Sequence, residues 1–419
     1  MKNKFIFAFI LIPICFIYSQ QGNWNIVGEM QYPVAGGEIL FNGMQETPKF
    51  YLLGGYSLDN YSKKVNWIQE YDVLNAAWNM YPFSMNSPRS SFIADLWDST
   101  IVYLGGSQDD SLEAFDFLNG HASVVNDTNK YFNRLNASGH VIGNDLFIIG
   151  GTNGTNNDSF PFIVDYNLKQ KKITYSFSFL NYFKDAQDIM TVVVDSTIYL
   201  IGGVIDQKIV NSINKFDISN RTLSLLPQSI LSIRAGGCAV YNSYSKKLYI
   251  VGGYDELNSA LSTVDVIEFN EDGTLNISNG THLKIARKYP MVISYKDKIY
   301  VFGGYDTVGK VVSETEVYVD TNITYVTQSF IPKEYLLFQN FPNPFNPTTK
   351  INFDLPMESH VTLKIYNILG EEVTTLVNKQ MTAGHQSVAF NAFKLASGMY
   401  IYRIEAGNFV QVKKMLLMK

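Results

Sequence analysis

Four arginines stand at matching places along the chain. Arg89, Arg134 and Arg287 each lie sixteen residues before a Gly-Gly pair, and Arg234 lies eighteen before one. Guanidinium groups gathered at one place grip a carboxylate bidentately, so these four are the candidate ligand-binding residues, and an acidic sugar is the ligand they would suit. Their competing use is to brace neighbouring segments through carbonyls and acidic side chains, the commoner fate of a buried arginine. Glu38 and Asp185, at corresponding positions of two repeats, are the acids that could act with them. A general acid or base there would need a shifted carboxyl pKa.

Other candidate chemistry fails on its own residues. Gly304 to Lys310 reads G-x-x-x-x-G-K, but Val311 stands where a magnesium-binding Ser or Thr belongs. The β-branched run that follows predicts a strand, not the helix whose N-terminus would face a phosphate. His121, His140 and His282 show no paired ligand spacing, and neither H-E-x-x-H nor G-x-S-x-G occurs. Asp109-Asp110, Asp255-Glu256 and Asp306 offer hard oxygens to calcium. Turn formation explains them more simply, because Asp satisfies nearby backbone groups in tight connections. No catalytic residue, metal or cofactor is expected.

The elements that hold these residues are strands. Of 419 residues, 14% are aromatic and only 17% charged, a balance that favours sheets over charge-laced helices. The net charge of −5 divides into +2 for residues 1–19, −10 for the middle and +3 for residues 333–419. An acidic middle repels phosphate backbones, so a nucleic-acid partner is not expected.

Lys2 and Lys4 precede an apolar run from Phe5 to Tyr18, and Ser19-Gln20-Gln21 restores polarity. This is the layout of a secretory signal, assigned to residues 1–19. The run is short for spanning a bilayer, and no stop-transfer flank follows, which disfavours a membrane anchor. No other stretch is apolar enough to span. Cys15 follows the bulky Ile14 rather than a small residue, which disfavours lipid attachment. Cys238 is then the single cysteine after processing, expected to be a small buried hydrophobe.

Six apolar runs end in double glycines: Gly54-Gly55, Gly105-Gly106, Gly150-Gly151, Gly202-Gly203, Gly252-Gly253 and Gly303-Gly304. Their first members are separated by 51, 45, 52, 50 and 51 residues, a period of one supersecondary unit per repeat. After each pair comes an aromatic, as at Tyr71, Phe115, Tyr166, Phe216, Phe269 and Tyr318. The pattern resembles the kelch repeat, whose blades carry four hydrophobics, a double glycine and then a spaced Tyr and Trp. Trp is kept at Trp78, with Trp24 standing similarly before the first repeat, but Leu223 and Tyr325 take its place elsewhere. A WD-type propeller has a shorter period and a Trp-Asp signature missing here. The resemblance implies an all-β, six-bladed propeller over residues 20–332, with the glycine pairs as structural positions and the arginines around its channel mouth. Either Trp24 to Val27 or Ile323 to Phe330 closes the ring, and Trp24 favours the former. Kelch propellers include copper oxidases, but three scattered histidines and one cysteine do not make that site.

After Ile331-Pro332 the prolines at 342, 344 and 347 bar a central strand and mark a boundary. Alternating runs at 350–355, 361–366, 373–377, 399–404 and 410–415 then predict half-buried strands of a small Ig-like sandwich over residues 333–419. FPNPFNPTT at 341, VTLKIYNILGEEV at 361, LASGMYIYRIEAG at 395 and VKKMLLMK at 412 closely resemble the C-terminal sorting domain of the type IX secretion system. That resemblance implies delivery through the periplasm to the outer cell surface or medium, with the type IX machinery as partner and no transmembrane segment once the signal is removed. Lys413 and Lys414 then belong to the sorting signal, not to a nucleic-acid patch.

Together these features suggest an exported kelch propeller that binds a glycan or protein through its loop faces. The alternative is a sugar-active enzyme of mutarotase or epimerase type using the arginine-lined mouth.

Overall fold

The computed structural model describes residues 22–42, 48–57, 63–98, 100–107, 111–116, 120–126, 131–152, 162–177, 185–320, 335–340, 343 and 345–418. The segment assigned as a signal, the alternative closing strand at 323–330 and the Asp109-Asp110 pair lie outside them. The chain divides into two compact units, Met1–Ile323 and Thr324–Lys419. Among the described residues both are built of strands, with no helix.

Among the described residues the first unit holds one two-stranded ribbon, Val204–Ile205 with Lys208–Ile209, and six four-stranded antiparallel sheets. Their innermost strands are Glu38–Asn42, Ile93–Trp97, Leu135–Ile142, Met190–Val194, Cys238–Asn242 and Met291–Tyr295. Each inner strand neighbours the next, and the last neighbours the first, so the sheets stand as blades around a central channel. The second strand of every blade is the apolar run that ends in the double glycine. Lys49–Leu53, Lys247–Val251 and Lys298–Phe302, for example, bury all but their first residue. A strand packed between two neighbouring sheets reads as an unbroken apolar run, because both of its faces are covered.

All twelve glycines of the pairs adopt positive φ. Gly303 shows why no side chain is accepted: at φ 55° its added Cβ would lie 2.0 Å from the carbonyl oxygen of Val34. The second glycine of each pair serves as a donor. The amides of Gly55, Gly106, Gly151, Gly203, Gly253 and Gly304 bond the carbonyls of Arg89, Arg134, Ala186, Arg234, Arg287 and Val34, each at the start of the following blade.

The last blade is completed from the other end of the chain. Trp24–Glu29 pairs antiparallel with Glu314–Val319, setting Trp24 opposite Tyr318. Trp24 is 1% exposed, and its indole donates to the carbonyl of Thr281 at 2.8 Å.

The second unit is a sandwich of a three-stranded sheet (Leu336–Leu337, Thr348–Leu355, Gly384–Asn391) and a four-stranded one (Glu372–Met381, Ser359–Tyr366, Gly398–Ala406, Phe409–Leu417). Phe345, Phe353, Leu363, Tyr402 and Met415 lie in its core. Asn343 and Phe345 lie along the edge of the final strand. Phe345 donates to the Leu416 carbonyl at 2.9 Å, and Asn343 Oδ1 accepts from the Leu416 amide at 2.7 Å.

Candidate functional site at the channel mouth

The four arginines are fully buried inside the blades, and none lines the channel. Arg89 donates to the Gly105 carbonyl at 3.0 Å and pairs with Glu113. Arg234 donates to the carbonyls of Gly252 at 3.0 Å and Thr263 at 2.8 Å, with Asp265 3.3 Å away. Arg287 repeats the pattern with Gly303 at 3.0 Å and Glu316 at 2.9 Å. Arg134 bonds the Gly150 and Tyr131 carbonyls. Each guanidinium thus anchors its own blade while its carbonyl holds the preceding one. The physical reason is that Glu113, Asp265 and Glu316 sit on third strands and draw the cations inward, away from the mouth.

The mouth itself is made two residues further on. Gly36, Ser91, Asn136, Asp188, Gly236 and Tyr289 occupy one equivalent position per blade, all at φ between 50 and 63°. Each amide donates to the carbonyl of the same position in the preceding blade, and Gly36 donates to Tyr289, so six backbone hydrogen bonds of 2.7–3.1 Å close a cycle. Backbone groups are thereby satisfied, and the side chains are left to face the opening. Tyr254 and Tyr289 both donate to Asp188 Oδ2, at 2.7 and 3.2 Å, with their rings 5.7 Å apart. Gly236 makes room for this pair, since its added Cβ would meet both rings at 2.6 and 2.8 Å. Asn136 bonds Gln187 beside them.

Below the ring lies a cavity of about 290 Å³. Glu38, Asp95, His140 and Thr191 line it together with Met190, Cys238, Met291 and Val292. His140 Nε2 is 2.8 Å from Thr191 Oγ1, and Asp95 accepts from the Val141 amide. Confinement away from water raises the Glu38 carboxyl to about 8, with the nearby Asp95 charge adding to the rise. Burial also raises Asp95 and lowers His140. Asp188 is raised to about 6 by burial, against the pull of its two tyrosine donors. The Cys238 thiol is pushed up to about 12. Asp185 is exposed outside this cavity.

The remaining candidates resolve locally. Asp255 and Asp306 each spend Oδ1 on the backbone amides of their own turns. Gly304 to Lys310 connects two strands without a helix, as its valines predict. Among the described residues no cluster of three His, Cys, Asp or Glu side chains could hold a metal ion, and no helix is long and apolar enough to cross a membrane.

Comparison with known proteins agrees with this architecture. The KLHDC2/KLHL20/DRC7 Kelch-repeats domain model matches residues 189–331. The chain is also similar to the Kelch repeat and BTB domain-containing protein 2 of ectromelia virus (strain Moscow), 26% identical over 188 residues, or 40% of this chain and 31% of the relative. An F-box/kelch-repeat protein of Arabidopsis thaliana is 29% identical over 113 residues, 26% of this chain and 28% of the relative. The matches span about a third of the length of these relatives. The solved structure of YjhT shares the fold with a TM-score of 0.54 at 12% identity, covering 70% of this chain and 96% of that one. The first unit therefore carries a kelch-repeat domain. Residues 339–418 match the Secretion system C-terminal sorting domain, so this is a kelch-repeat protein with a type IX sorting tail, exported to the cell surface or medium.

Proposed function

We propose that the protein is an exported recognition module that holds a neutral, hydroxyl-rich glycan at the mouth of its channel. The observation that carries this reading is the convergence of the Tyr254 and Tyr289 hydroxyls on one oxygen of Asp188, half-buried at the ring. A carboxylate, an amide and aromatic faces around an opening suit sugar hydroxyls and the C–H face of a sugar ring. Among the described residues no Lys or Arg lines the cavity, while Glu38, Asp95 and Asp188 do, so an acidic sugar gains nothing there. The arginines serve as braces between blades.

The test is a thermal-shift and calorimetric comparison of neutral and acidic oligosaccharides against the full chain. A ligand at about 100 times its dissociation constant adds roughly 2.7 kcal/mol of stability. Neutral sugars are expected to shift the melt, and Asp188→Ala to abolish the shift while the fold persists. A shift with acidic sugars alone, or one indifferent to Asp188→Ala, removes the reading.

One observation favours a second reading, a sugar-active enzyme. The Asp188 carboxyl, raised to about 6, stands near the range of a general acid or base at neutral pH. Anomer exchange or epimerisation of a bound sugar, followed by NMR and lost in Asp188→Asn, would establish turnover; binding without turnover leaves the recognition module.

A further inference from the structure

Away from the channel, the first blade carries the longest outer strand of the six, with a bulge of the kind the fourth blade also shows between residues 212–214 and 225–229. Its outer strand, Ala77–Arg89, runs for thirteen residues. Its ladder with Val65–Asp72 pairs Trp67 with Ser84 and Gln69 with Met80, so one strand advances two residues while its partner advances four. Tyr81-Pro82-Phe83, three residues where the partner strand has only Ile68, leave the ladder and stand over the next blade. Such bulges re-aim side chains and are frequent beside binding sites.

The bulge walls a cleft of about 650 Å³ between the outer strands of the first and second blades, within the ~300–1,000 Å³ range of small-ligand sites. Trp67, Tyr81 and Phe83 supply its aromatic surface; Asn66, Asn86 and His121 supply polar groups. Phe83 is 44% exposed, and its ring occupies the place a side chain at Gly120 would need, with Cε2 2.2 Å from an added Cβ. The Trp67 indole N–H is buried without an acceptor. Asn66 and Asn86 use their amide nitrogens on the Met85 carbonyl at 2.9 Å and Glu113 at 2.6 Å, and no hydrogen bond among the described residues uses either amide oxygen. Two acceptors therefore stand beside aromatic faces, and among the described residues no Asp, Glu, Lys or Arg lines the cleft.

We infer that this cleft is a second binding site, for a neutral saccharide. A sugar ring offers C–H faces to Tyr81 and Phe83 and hydroxyl protons to the two asparagine oxygens. An extended peptide would need a continuous edge ladder, which the bulge interrupts. The site goes beyond the channel-mouth reading and stands or falls separately from it.

The experiment is calorimetric titration of the full chain carrying Asp188→Ala, which silences the mouth, with cellotriose, maltotriose and triacetylchitotriose. At least one trisaccharide is expected to bind saturably. Phe83→Ala, at an exposed position, is expected to abolish that binding, and Asn66→Ala, which removes one acceptor oxygen, to weaken it about tenfold, the worth of one hydrogen bond. Failure of all three sugars, or binding that survives Phe83→Ala, overturns the inference. Binding of a proline-rich peptide in place of the sugars overturns it equally.

Discussion

The amide of Gly253 donates to the carbonyl of Arg287 at 2.8 Å across the seam between two blades. Arg287 then reaches forward, its guanidinium 3.0 Å from the Gly303 carbonyl and 2.9 Å from Glu316. A glycine that must be left-handed and an arginine that must be charged are thus parts of one joint. The same joint recurs at Gly55–Arg89, Gly106–Arg134 and Gly203–Arg234.

Breaking the joint from one side strands a buried charge. Arg287→Ala leaves Glu316 without its cation in a site closed to water, at a cost of about 3–5 kcal/mol. Arg287→Met with Glu316→Leu removes both charges and recovers most of that loss. Urea unfolding of the two variants measures the difference; equal destabilisation would mean that packing, not charge, dominates.

Glu38 makes the propeller sensitive to alkali. Its carboxyl titrates near 4.5 when unfolded and about 8 when folded, so folding favours the protonated form. The stabilisation is complete below pH 4.5 and disappears as the pH climbs to 8, a difference on the order of a few kcal/mol at about 1.4 per pKa unit. Asp95 shifts in the same direction. Glu38→Gln is therefore expected to flatten the decline of Tm between pH 5 and pH 9, as read by circular dichroism.

Two glycines separate crowding from backbone strain. Gly370, at φ 80° in the hairpin between Ser359–Tyr366 and Glu372–Met381, has open space where a Cβ would go. Its replacement by Ala is expected to cost only about 1 kcal/mol. Gly303→Ala adds a collision with the Val34 carbonyl and should cost several times more. Calorimetry of the two variants resolves them, each reporting through its own unit.

The Cys238 thiol, raised to about 12, is almost wholly protonated at neutral pH. Iodoacetamide is expected to label the native chain at least tenfold more slowly than the urea-unfolded chain. Rapid labelling of folded protein would show that the channel admits solvent more freely than its geometry indicates.

How much of this was legible depended on whether a requirement is local. The double glycines could be read because each must avoid a Cβ at its own position, as at Gly303. The arginines were equally visible, but which way a guanidinium turns depends on Glu113, Asp265 and Glu316, which lie 24, 31 and 29 residues away. The mouth was harder still. Gly36, Ser91, Asn136, Asp188, Gly236 and Tyr289 share no side chain, because what the position needs is an amide and a positive φ. Asp188 meets Tyr254 and Tyr289 across 66 and 101 residues, and no motif joins them. Their one sequence signal was position: Ser91, Asn136, Gly236 and Tyr289 each follow an arginine by two residues. In the tail, the strand Gly384–Asn391 escaped notice because Gln386 and Ser387 place polar side chains in its first half.

The pairing of Trp24–Glu29 with Glu314–Val319 acts in time as well as in space. A blade assembled from opposite ends of the propeller sequence stays a strand short while the intervening repeats are being made or threaded through a membrane. The indole of Trp24 must wait for the carbonyl of Thr281, 257 residues later. Contacts of such span form slowly, since the entropy of closing the loop must be spent before any reward arrives. The order of emergence from a ribosome or a pore thus places the locking step after the strands of the earlier blades.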